Sequence, residues 1–235
     1  MLSCVVFDID DTLYLESDYV RSGFRAAGMR VVELLEKDGF AAEAWSLFLA
    51  GGREKIFDGA LRRLGIAPEA GLVADLVSTY RSHRPDIRLL PDAEACLASL
   101  AGRAHLAVVS DGPLESQTAK ARALRLDRWI STFVYTAALG DGFGKPHPRA
   151  FEIVEFDAAC PGPECSYVAD NPSKDFAGPG KRGWTTVRVR RPGGLHWGVA
   201  SGRDVGKELA DLSGLVAALG LEPGDGLASP GGRPG

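Results

Sequence analysis

Short apolar runs rich in β-branched or aromatic residues recur along the chain and predict buried parallel strands. The five runs are Cys4–Phe7, Leu106–Val109, Phe133–Tyr135, Tyr167–Ala169 and Thr186–Val189. Amphipathic stretches between the later runs predict helices. These helices are Pro113–Leu124, Pro148–Phe156 and Lys174–Lys181. Alternation of strand and helix predicts right-handed crossovers, and hence an α/β fold with a parallel sheet covered by helices on both faces.

The interval between the first two strands breaks this alternation, because it is about a hundred residues long. It contains the helical patterns Tyr19–Lys37, Ala41–Leu49, Arg53–Leu64, Ala70–Arg81 and Ala93–Leu100, the last of which leads back into the sheet. An unstructured loop of this length is uncommon in a compact domain. We therefore predict a small all-helical insertion over residues 15–88, and a core formed by residues 1–14 and 89–221.

The end of the chain is predicted in two parts. Its hydrophobic pattern predicts a last helix at about Gly206–Leu219. Residues 222–235 are dense in Gly and Pro and lack periodicity. Such a composition predicts disorder for this tail.

Composition and charge restrict the possible partners. The formal net charge is -4, which provides no basic field for nucleic acid or anionic lipid, so neither is expected as a partner. The apolar run at the N-terminus is too short for a signal peptide or a membrane span. The four cysteines (Cys4, Cys96, Cys160 and Cys165) show no framework spacing, so neither a disulfide nor a zinc site is predicted. We expect a reduced, cytoplasmic protein that is a monomer or a homodimer.

Three acidic residues, Asp8, Asp10 and Asp11, directly follow the first predicted strand. Like charges this close raise one another's pKa, and strands disfavour Asp. A divalent cation or a ligand would make the crowding tolerable, and ligands of open α/β sheets bind outside the carboxyl ends of the strands. The alternative is a polar turn in which Asp and Thr cap the following helix.

Polar residues follow three further strand ends. Ser110–Gly112 offers a hydroxyl and approachable backbone N–H groups, which suit a phosphate, although the same residues form ordinary turns. Lys145 follows a glycine-rich stretch and can neutralise negative charge, although alone it reads as a surface lysine. Asp170 and Asp175 provide the oxygen ligands that Mg²⁺ prefers. Together the four strand ends predict one phosphate-binding and Mg²⁺-binding rim of the sheet.

These segments resemble the four motifs of the haloacid dehalogenase-like (HAD) hydrolase superfamily, in its phosphatase branch with a C1-type helical cap. The matching segments are Asp8–Thr12, Ser110–Gly112, Lys145–Pro146 and Asp170–Asp175. The resemblance covers about residues 3–192. It implies a Rossmann-like core with the cap inserted after the first strand. One departure is Ala169, where the family commonly has glycine, and its methyl group is expected to shift that strand end slightly.

The resemblance also implies roles for individual residues. Asp8 would attack phosphorus and form an aspartyl-phosphate, and Asp10 would protonate the leaving oxygen and then deprotonate the hydrolytic water. Lys145 would assist catalysis by contacting the phosphoryl oxygens. Asp175 would support the metal through water or orient Lys145. Asp11 would cap the following turn without a chemical role.

Two sets of binding residues follow from the same resemblance. The implied substrate-binding residues are Ile9, Thr12, Ser110, Asp111, Gly112 and Lys145. The implied Mg²⁺ ligands are Asp8, the backbone carbonyl of Asp10, Asp170 and Asp175.

The acid at position 10 separates two reaction classes. A halide leaves without protonation, whereas the alkoxide of a phosphate monoester needs a proton, so Asp10 favours a phosphatase over a dehalogenase. A phosphomutase and a non-catalytic relative that binds phosphorylated metabolites stay open as alternatives. The expected substrate is a small phosphorylated metabolite, such as a sugar phosphate, a nucleotide or a phosphoglycolate-like compound, with sugar phosphates slightly favoured. Cap residues that either contact this substrate or form solvated surface are Glu16, Tyr19, Arg21, Arg81 and His83.

Overall fold

A parallel six-stranded sheet of order β3-β2-β1-β4-β5-β6 forms the centre of the computed structural model, which describes residues 2–221. The strands are β1 (Cys4–Phe7), β2 (His105–Ser110), β3 (Thr132–Tyr135), β4 (Cys165–Ala169), β5 (Thr185–Val189) and β6 (Lys207–Leu209). The five strands predicted from the apolar runs are confirmed to within two residues at either end. Because β1 lies between β2 and β4, its acidic C-terminal end is flanked by the ends of both neighbours.

Helices cover both faces of the sheet, as predicted. They are α5 (Pro91–Leu100), α6 (Leu114–Ala123), α7 (Arg149–Asp157), α8 (Ala177–Lys181) and α9 (Leu215–Ala218). Alternate side chains of β1 enter two hydrophobic clusters: Val5 and Phe7 pack with α5 on one face, and Cys4 and Val6 pack with α7 on the other. Burial on both faces explains why β1 is a continuous apolar run.

The prediction of a helix over Gly206–Leu219 was wrong. The structure has the edge strand β6 followed by α9, which spans only four residues. β6 pairs with β5, with Val187 opposite Lys207, and the carbonyl of Leu209 accepts a hydrogen bond from the backbone N–H of Arg190 at 2.8 Å. Backbone pairing with β5 holds this strand in place, and the strand buries no face of its own. Its sequence therefore does not alternate between apolar and polar residues.

Between β1 and β2 the chain forms four further helices, α1 (Glu16–Leu35), α2 (Phe40–Leu49), α3 (Ile56–Arg63) and α4 (Ala70–Ser82). They enclose a hydrophobic cluster of their own that includes Phe24, Phe40, Leu61 and Leu76. We refer to residues 15–88 as the cap; its boundaries stay a prediction. The disorder predicted for residues 222–235 lies outside the described residues. None of the helices within residues 2–221 is long and apolar enough to cross a membrane.

Candidate active site

Three carboxylates meet at the C-terminal edge of the sheet. Asp8 follows β1, Asp170 follows β4, and Asp175 lies in the turn after β4; each side chain offers an oxygen within 4.8 Å of the others. All three residues are buried. Sheet register explains the meeting of the first two, because Phe7 and Val168 are directly opposite each other and the Asp8 N–H donates to the Val168 carbonyl at 2.9 Å.

Crowding and burial perturb the acidity of this cluster. Burial raises the pKa of Asp8 to about 6, with repulsion from Asp175 adding to it and Lys145 opposing it. Burial, together with the charges of Asp8 and Asp175, raises the pKa of Asp170 to about 9. A buried set of oxygen donors that repel one another fits a hard divalent cation such as Mg²⁺, whose charge would remove the repulsion.

Lys145 connects the acids of this cluster. Its completely buried side chain places Nζ 2.8 Å from Asp175 Oδ1 and 3.2 Å from Asp8 Oδ2, and it donates to the Tyr167 hydroxyl at 2.9 Å. Burial alone would lower the pKa of Lys145, but Asp175 and Asp8 hold it well above its usual value. The other oxygen of Asp175 accepts from the Asn171 N–H at 2.9 Å. The contact with Lys145 fits one of the two roles expected for Asp175, and its support of the metal through water stays a prediction.

Asp10 lies in a separate set of hydrogen-bond donors. Lys120 Nζ is 2.7 and 2.8 Å from its two carboxylate oxygens, and Gln117 Nε2 donates to Oδ2 at 3.0 Å. The Tyr14 hydroxyl donates to Oδ1. Burial would raise the pKa of Asp10, but Lys120 and these donors lower it below its usual value. Two of the three acids of the first motif therefore differ: Asp8 has a raised pKa and Asp10 a lowered one.

Sequence reasoning missed the residues that surround Asp10. Gln117 and Lys120 are three residues apart on α6, which places them on one helix face. Both are almost completely buried, at 2% and 4% exposure. Lys120 Nζ also lies 4.3 Å from the ring centroid of Tyr19. A helix that starts at a functional strand end and has polar residues at this spacing was the available signal.

The hydroxyl of Ser110, which we predicted to bind phosphate, points toward α6. This fully buried residue donates to Gln117 Oε1 at 3.1 Å, and Gln117 in turn donates to Asp10. Gly112 has a φ of 123°, and a Cβ added there would lie 2.7 Å from Gln117 Nε2. Ser110 and Gly112 thus hold Gln117 in place, whereas the cavity beside them is lined by Gly112 and not by Ser110.

Asp111, at the same strand end, contacts Thr136 and two lysines. Its Oδ1 accepts from Thr136 Oγ1 at 2.8 Å and from the Lys145 N–H at 3.1 Å. Its Oδ2 pairs with Lys174 Nζ at 3.1 Å, a lysine that the sequence analysis did not single out. Burial would raise the pKa of Asp111, but Lys145 and Lys174 lower it.

Two predicted substrate residues are buried beneath the site. The Ile9 side chain packs in the hydrophobic core, so contact with a phosphate would have to come through its backbone. Thr12 is fully buried, and its hydroxyl has no hydrogen-bond partner in the part of the chain that the structure describes. Asp11 caps the turn that follows it, as expected, because one carboxylate oxygen accepts from the N–H group of Glu16 at 2.8 Å. Its other oxygen accepts from the N–H group of Leu195 at 2.7 Å.

A cavity of about 260 Å³ lies over the acids, between core and cap. The core residues Asp8, Asp10 and Asp170 line it, as do Glu16, Tyr19 and Arg81 from the cap. The other two cap candidates point elsewhere. The Arg21 guanidinium lies 4.6 Å from the ring centroid of Trp45, and His83 is hydrogen-bonded to Ser22 and Tyr80.

A second cavity of about 470 Å³ extends into the cap and shares Glu16, Tyr80 and Arg81 with the first. Much of its wall is apolar, formed by Val20, Phe24, Phe48, Ile56, Phe57, Val73 and Val77. Glu16 stands at the junction of the two cavities. Burial and the nearby charge of Asp10 raise its pKa to about 8.

Comparison with known proteins agrees on the family, whereas the activities of the relatives differ and include both phosphatases and a dehalogenase. The model of the family "haloacid dehalogenase-like hydrolase" matches residues 2–175. The chain is 30% identical over 200 residues to a glyceraldehyde 3-phosphate phosphatase from Methanopyrus kandleri, covering 81% of this chain and 85% of that protein. It is 31% identical over 150 residues to a phosphoserine phosphatase from Thermus thermophilus, covering 63% of this chain and 59% of that protein.

Solved structures show the same fold. The crystal structure of a 2-haloacid dehalogenase from Pseudomonas syringae matches with a TM-score of 0.65 at 22% identity, covering 94% of this chain and 99% of that one. Identity at this level supports the fold alone. The family model, however, spans most of the chain and all four clusters of polar residues at the strand ends. The chain belongs to the haloacid dehalogenase-like hydrolase family.

Proposed function

We propose that the protein is a Mg²⁺-dependent phosphatase that hydrolyses a small phosphate monoester through an aspartyl-phosphate on Asp8. The observation that carries the proposal is the second acid, Asp10, which lines the same cavity as Asp8 and is fixed by Lys120 and Gln117. A leaving alkoxide needs a proton donor, whereas a leaving halide does not. A fixed carboxylate at this point therefore favours phosphate ester cleavage over dehalogenation.

The reaction would proceed in two displacements. The Asp8 carboxylate attacks phosphorus, the bond from phosphorus to the ester oxygen breaks, and Asp10 gives its proton to that oxygen. Water then attacks the aspartyl-phosphate and gives a proton to Asp10, which releases inorganic phosphate and restores both acids. Lys145, 3.2 Å from Asp8, would neutralise charge on the phosphoryl oxygens during both steps.

The lowered pKa of Asp10 is compatible with this role. Lys120 keeps Asp10 ionised in the free protein, which is the form needed to accept a proton from water. Arrival of a phosphate dianion places negative charge beside Asp10 and raises its pKa, so that Asp10 takes up a proton from solvent and gives it to the leaving oxygen. Lys120 thus sets a low pKa for Asp10 in the free protein, and the charge of the bound substrate raises that pKa.

The donor set at the strand ends supports Mg²⁺ as the cofactor. Asp8, Asp170 and the Asp10 carbonyl would hold the ion. Burial and the neighbouring carboxylates raise the pKa of Asp170, so its negative charge is unfavourable without a cation. When bound, Mg²⁺ reduces the repulsion between the nucleophilic carboxylate and the negatively charged phosphate. Lys145 and Asp175 would then keep the Asp8 side chain in its attacking position.

The cap cavity supports a choice among substrate classes. A phosphate bound over Asp8 would leave its ester group facing the 470 Å³ cavity, whose walls are largely apolar. The wall also includes charged residues, namely Glu16, Arg53, Lys55, Asp58 and Arg81. Over its apolar part, a polyol would lose hydrogen bonds to water without regaining them. We therefore propose an alcohol with an apolar or aromatic part, in place of the slight preference for sugar phosphates that cap size alone suggested.

The decisive experiment measures phosphate release from a panel of phosphate esters with Mg²⁺, with EDTA, and with the variant Asp8→Asn. Turnover that needs both Mg²⁺ and Asp8 is the expected result. A rearranged phosphate ester in place of free phosphate would identify a phosphomutase. Binding of esters without any turnover would identify a non-catalytic relative.

The four free thiols support the cytoplasmic location that we propose for the protein.

A further inference from the structure

We propose that Cys4, Cys160 and Cys165 form a second metal site, for a thiophilic divalent ion of the Zn²⁺ type. Their sulfur atoms all lie within 4.8 Å of one another, and those of Cys160 and Cys165 are 3.2 Å apart. All three are free thiols, and their exposure does not exceed 7%. Buried thiolates converging on one point are the ligands that select soft metal ions.

The sheet fixes two of these ligands. Cys4 and Cys165 are the first residues of β1 and β4 and are directly opposite each other in the parallel register. Asp8 lies four residues further along β1, about 13 Å away at the rise of an extended strand. The thiol site is therefore at the opposite edge of the sheet from the acidic cluster, and its occupancy does not involve the residues proposed for catalysis.

A constrained loop brings in the third ligand. Cys160 follows α7, and its N–H donates to the Glu155 carbonyl at 3.1 Å. The loop from Cys160 to Cys165 contains two prolines around Gly162, where an added Cβ would lie 2.0 Å from the Arg182 carbonyl oxygen. Only glycine fits at that position, so the loop is held closely against its neighbour. Little rearrangement is needed to bring Cys160 to the other two thiols.

The geometry suits a four-coordinate ion with three sulfurs and one oxygen. Zinc–sulfur bonds of about 2.3 Å in a tetrahedron place sulfur atoms about 3.8 Å apart. The sulfur atoms of Cys160 and Cys165 are 3.2 Å apart and no pair of the three exceeds 4.8 Å, so small shifts suffice to reach this value. The carbonyl oxygen of Pro161 is 3.5 Å from Cys165 Sγ, against about 3.6 Å expected for a sulfur and an oxygen on one tetrahedral zinc ion.

Binding would exchange protons for metal without any oxidation. Three metal–sulfur bonds form, three S–H protons pass to solvent, and the complex carries a net charge of -1. Burial raises the pKa of the Cys160 thiol to about 12. Hydrogen bonding with Cys4 and burial also raise the pKa of Cys165. Metal binding must therefore displace these protons, which makes the affinity of the site dependent on pH.

Cobalt titration of the full chain tests the site. Bound transition metals are first removed from the reduced protein, and excess Mg²⁺ is then added to occupy the oxygen ligands around Asp8. Co²⁺ replaces Zn²⁺ in the titration because Co²⁺ absorbs visible light. We expect one equivalent of Co²⁺ per chain, with the intense visible absorption of tetrahedral Co²⁺ and a thiolate charge-transfer band, both removed by Zn²⁺. Weak octahedral absorption without a thiolate band would overturn the proposal.

Two cysteine variants show which thiols are involved. Cys160→Ala should abolish the tetrahedral spectrum, whereas Cys96→Ala should leave it unchanged. Cys96 is an equally buried thiol, but it lies in the hydrophobic cluster on the other face of the sheet. Circular dichroism checks that both variants fold. An unchanged spectrum in Cys160→Ala, or its loss in Cys96→Ala, would contradict the assignment.

Proton release gives a second measurement that needs no variant. At pH 7 in weak buffer, Zn²⁺ binding to the unmodified protein should release close to three protons per ion, because the thiols start protonated. Excess Mg²⁺ is kept present, so that the acidic cluster, where Asp170 holds a proton at pH 7, is already occupied and does not add to the count. Release of one proton or fewer would overturn the proposal. A Cys160–Cys165 disulfide that persists in millimolar reductant would also overturn it, because it removes two of the three ligands.

Discussion

Lys120 forms a bidentate ion pair with Asp10, its Nζ lying 2.7 and 2.8 Å from the two carboxylate oxygens. The lysine belongs to α6 and the acid to the end of β1, so the pair joins two separate parts of the core. Both groups are shielded from water, at 4% and 18% side-chain exposure. A buried pair of this kind fixes the direction of the carboxylate and its protonation state together.

Replacement of Lys120 by methionine should therefore impair proton transfer more than it impairs phosphoryl transfer. We expect kcat for an unactivated alkyl phosphate to fall about 100-fold, within the range that general acid–base catalysis contributes. The single-turnover rate of aspartyl-phosphate formation from p-nitrophenyl phosphate, whose leaving group needs little protonation, should fall much less. The comparison of the two substrates is the measurement. Equal losses for both would mean that Lys120 acts only on the fold.

Two substitutions provide matched controls for Lys120→Met. Lys120→Arg keeps a cation beside Asp10 and should restore most of the activity. Lys181→Met removes an exposed lysine of α8 and should have no effect. The pH profile adds an independent readout. Because Lys120 lowers the pKa of Asp10, its removal should move the limb assigned to Asp10 toward higher pH.

Replacement of Asp10 by asparagine should separate the two displacements. With p-nitrophenyl phosphate, Asp8 can still form the aspartyl-phosphate, but no base remains to activate water for its hydrolysis. We expect phosphoprotein to accumulate after acid quenching of a reaction with labelled substrate. Asp18→Asn, at an exposed cap position, is the control and should turn over normally. Absence of phosphoprotein in Asp10→Asn would argue against the covalent route.

The strand ends were predictable because their signal is local. β1 and β4 are buried on both faces, so their apolar runs end sharply where Asp8 and Asp170 begin. Parallel order then places these ends side by side, since β4 pairs directly with β1. A sequence therefore suffices to predict that Asp8 and Asp170 meet, because each of them follows its own strand.

The surroundings of Asp10 were not predictable in the same way. Gln117 and Lys120 reach Asp10 only because α6 packs with that face toward the end of β1, which is a tertiary relationship. The orientation of Ser110 toward Gln117 depends on the same packing.

Cys4 is likewise distant in sequence from Cys160 and Cys165, so the spacing of the cysteines did not predict the three-thiol cluster.

Stability should depend on pH and on Mg²⁺ through Asp170. Its pKa is raised to about 9 in the folded chain, from about 3.8. Between these values the folded state binds more protons than the unfolded state, so the free energy of unfolding falls as pH rises. We expect lower stability in EDTA at pH 8 than at pH 5, measured by urea denaturation, with a slope of up to about 1.4 kcal/mol per pH unit for one proton.

Mg²⁺ should reverse this loss. Its binding favours the ionised carboxylates, so the gain in the free energy of unfolding should be larger at pH 8 than at pH 5. Asp170→Asn removes both the titrating group and a ligand. In that variant the Mg²⁺-dependent gain should disappear and the pH dependence should be flatter. A Mg²⁺ effect of equal size in Asp170→Asn would place the cation elsewhere.

The substrate class can be tested with one isosteric change in the cap. Val77→Thr keeps the shape of a wall residue of the apolar cavity but adds a hydroxyl group. We expect kcat/KM for 2-phenylethyl phosphate to fall about tenfold, the scale of a modest loss of apolar complementarity. Acetyl phosphate has too small a leaving group to reach this wall, and its kcat/KM should be unchanged.

Val32→Thr is the matched control, because Val32 is an exposed residue of α1 in the same cap. It should leave both substrates unaffected. In the unmodified protein, 2-phenylethyl phosphate should also exceed glycerol 1-phosphate in kcat/KM, since both release an alkoxide and differ mainly in polarity. The reverse order with normal acetyl phosphate turnover would remove the apolar class but keep the phosphatase. Loss of all turnover, acetyl phosphate included, would instead contradict the phosphatase itself.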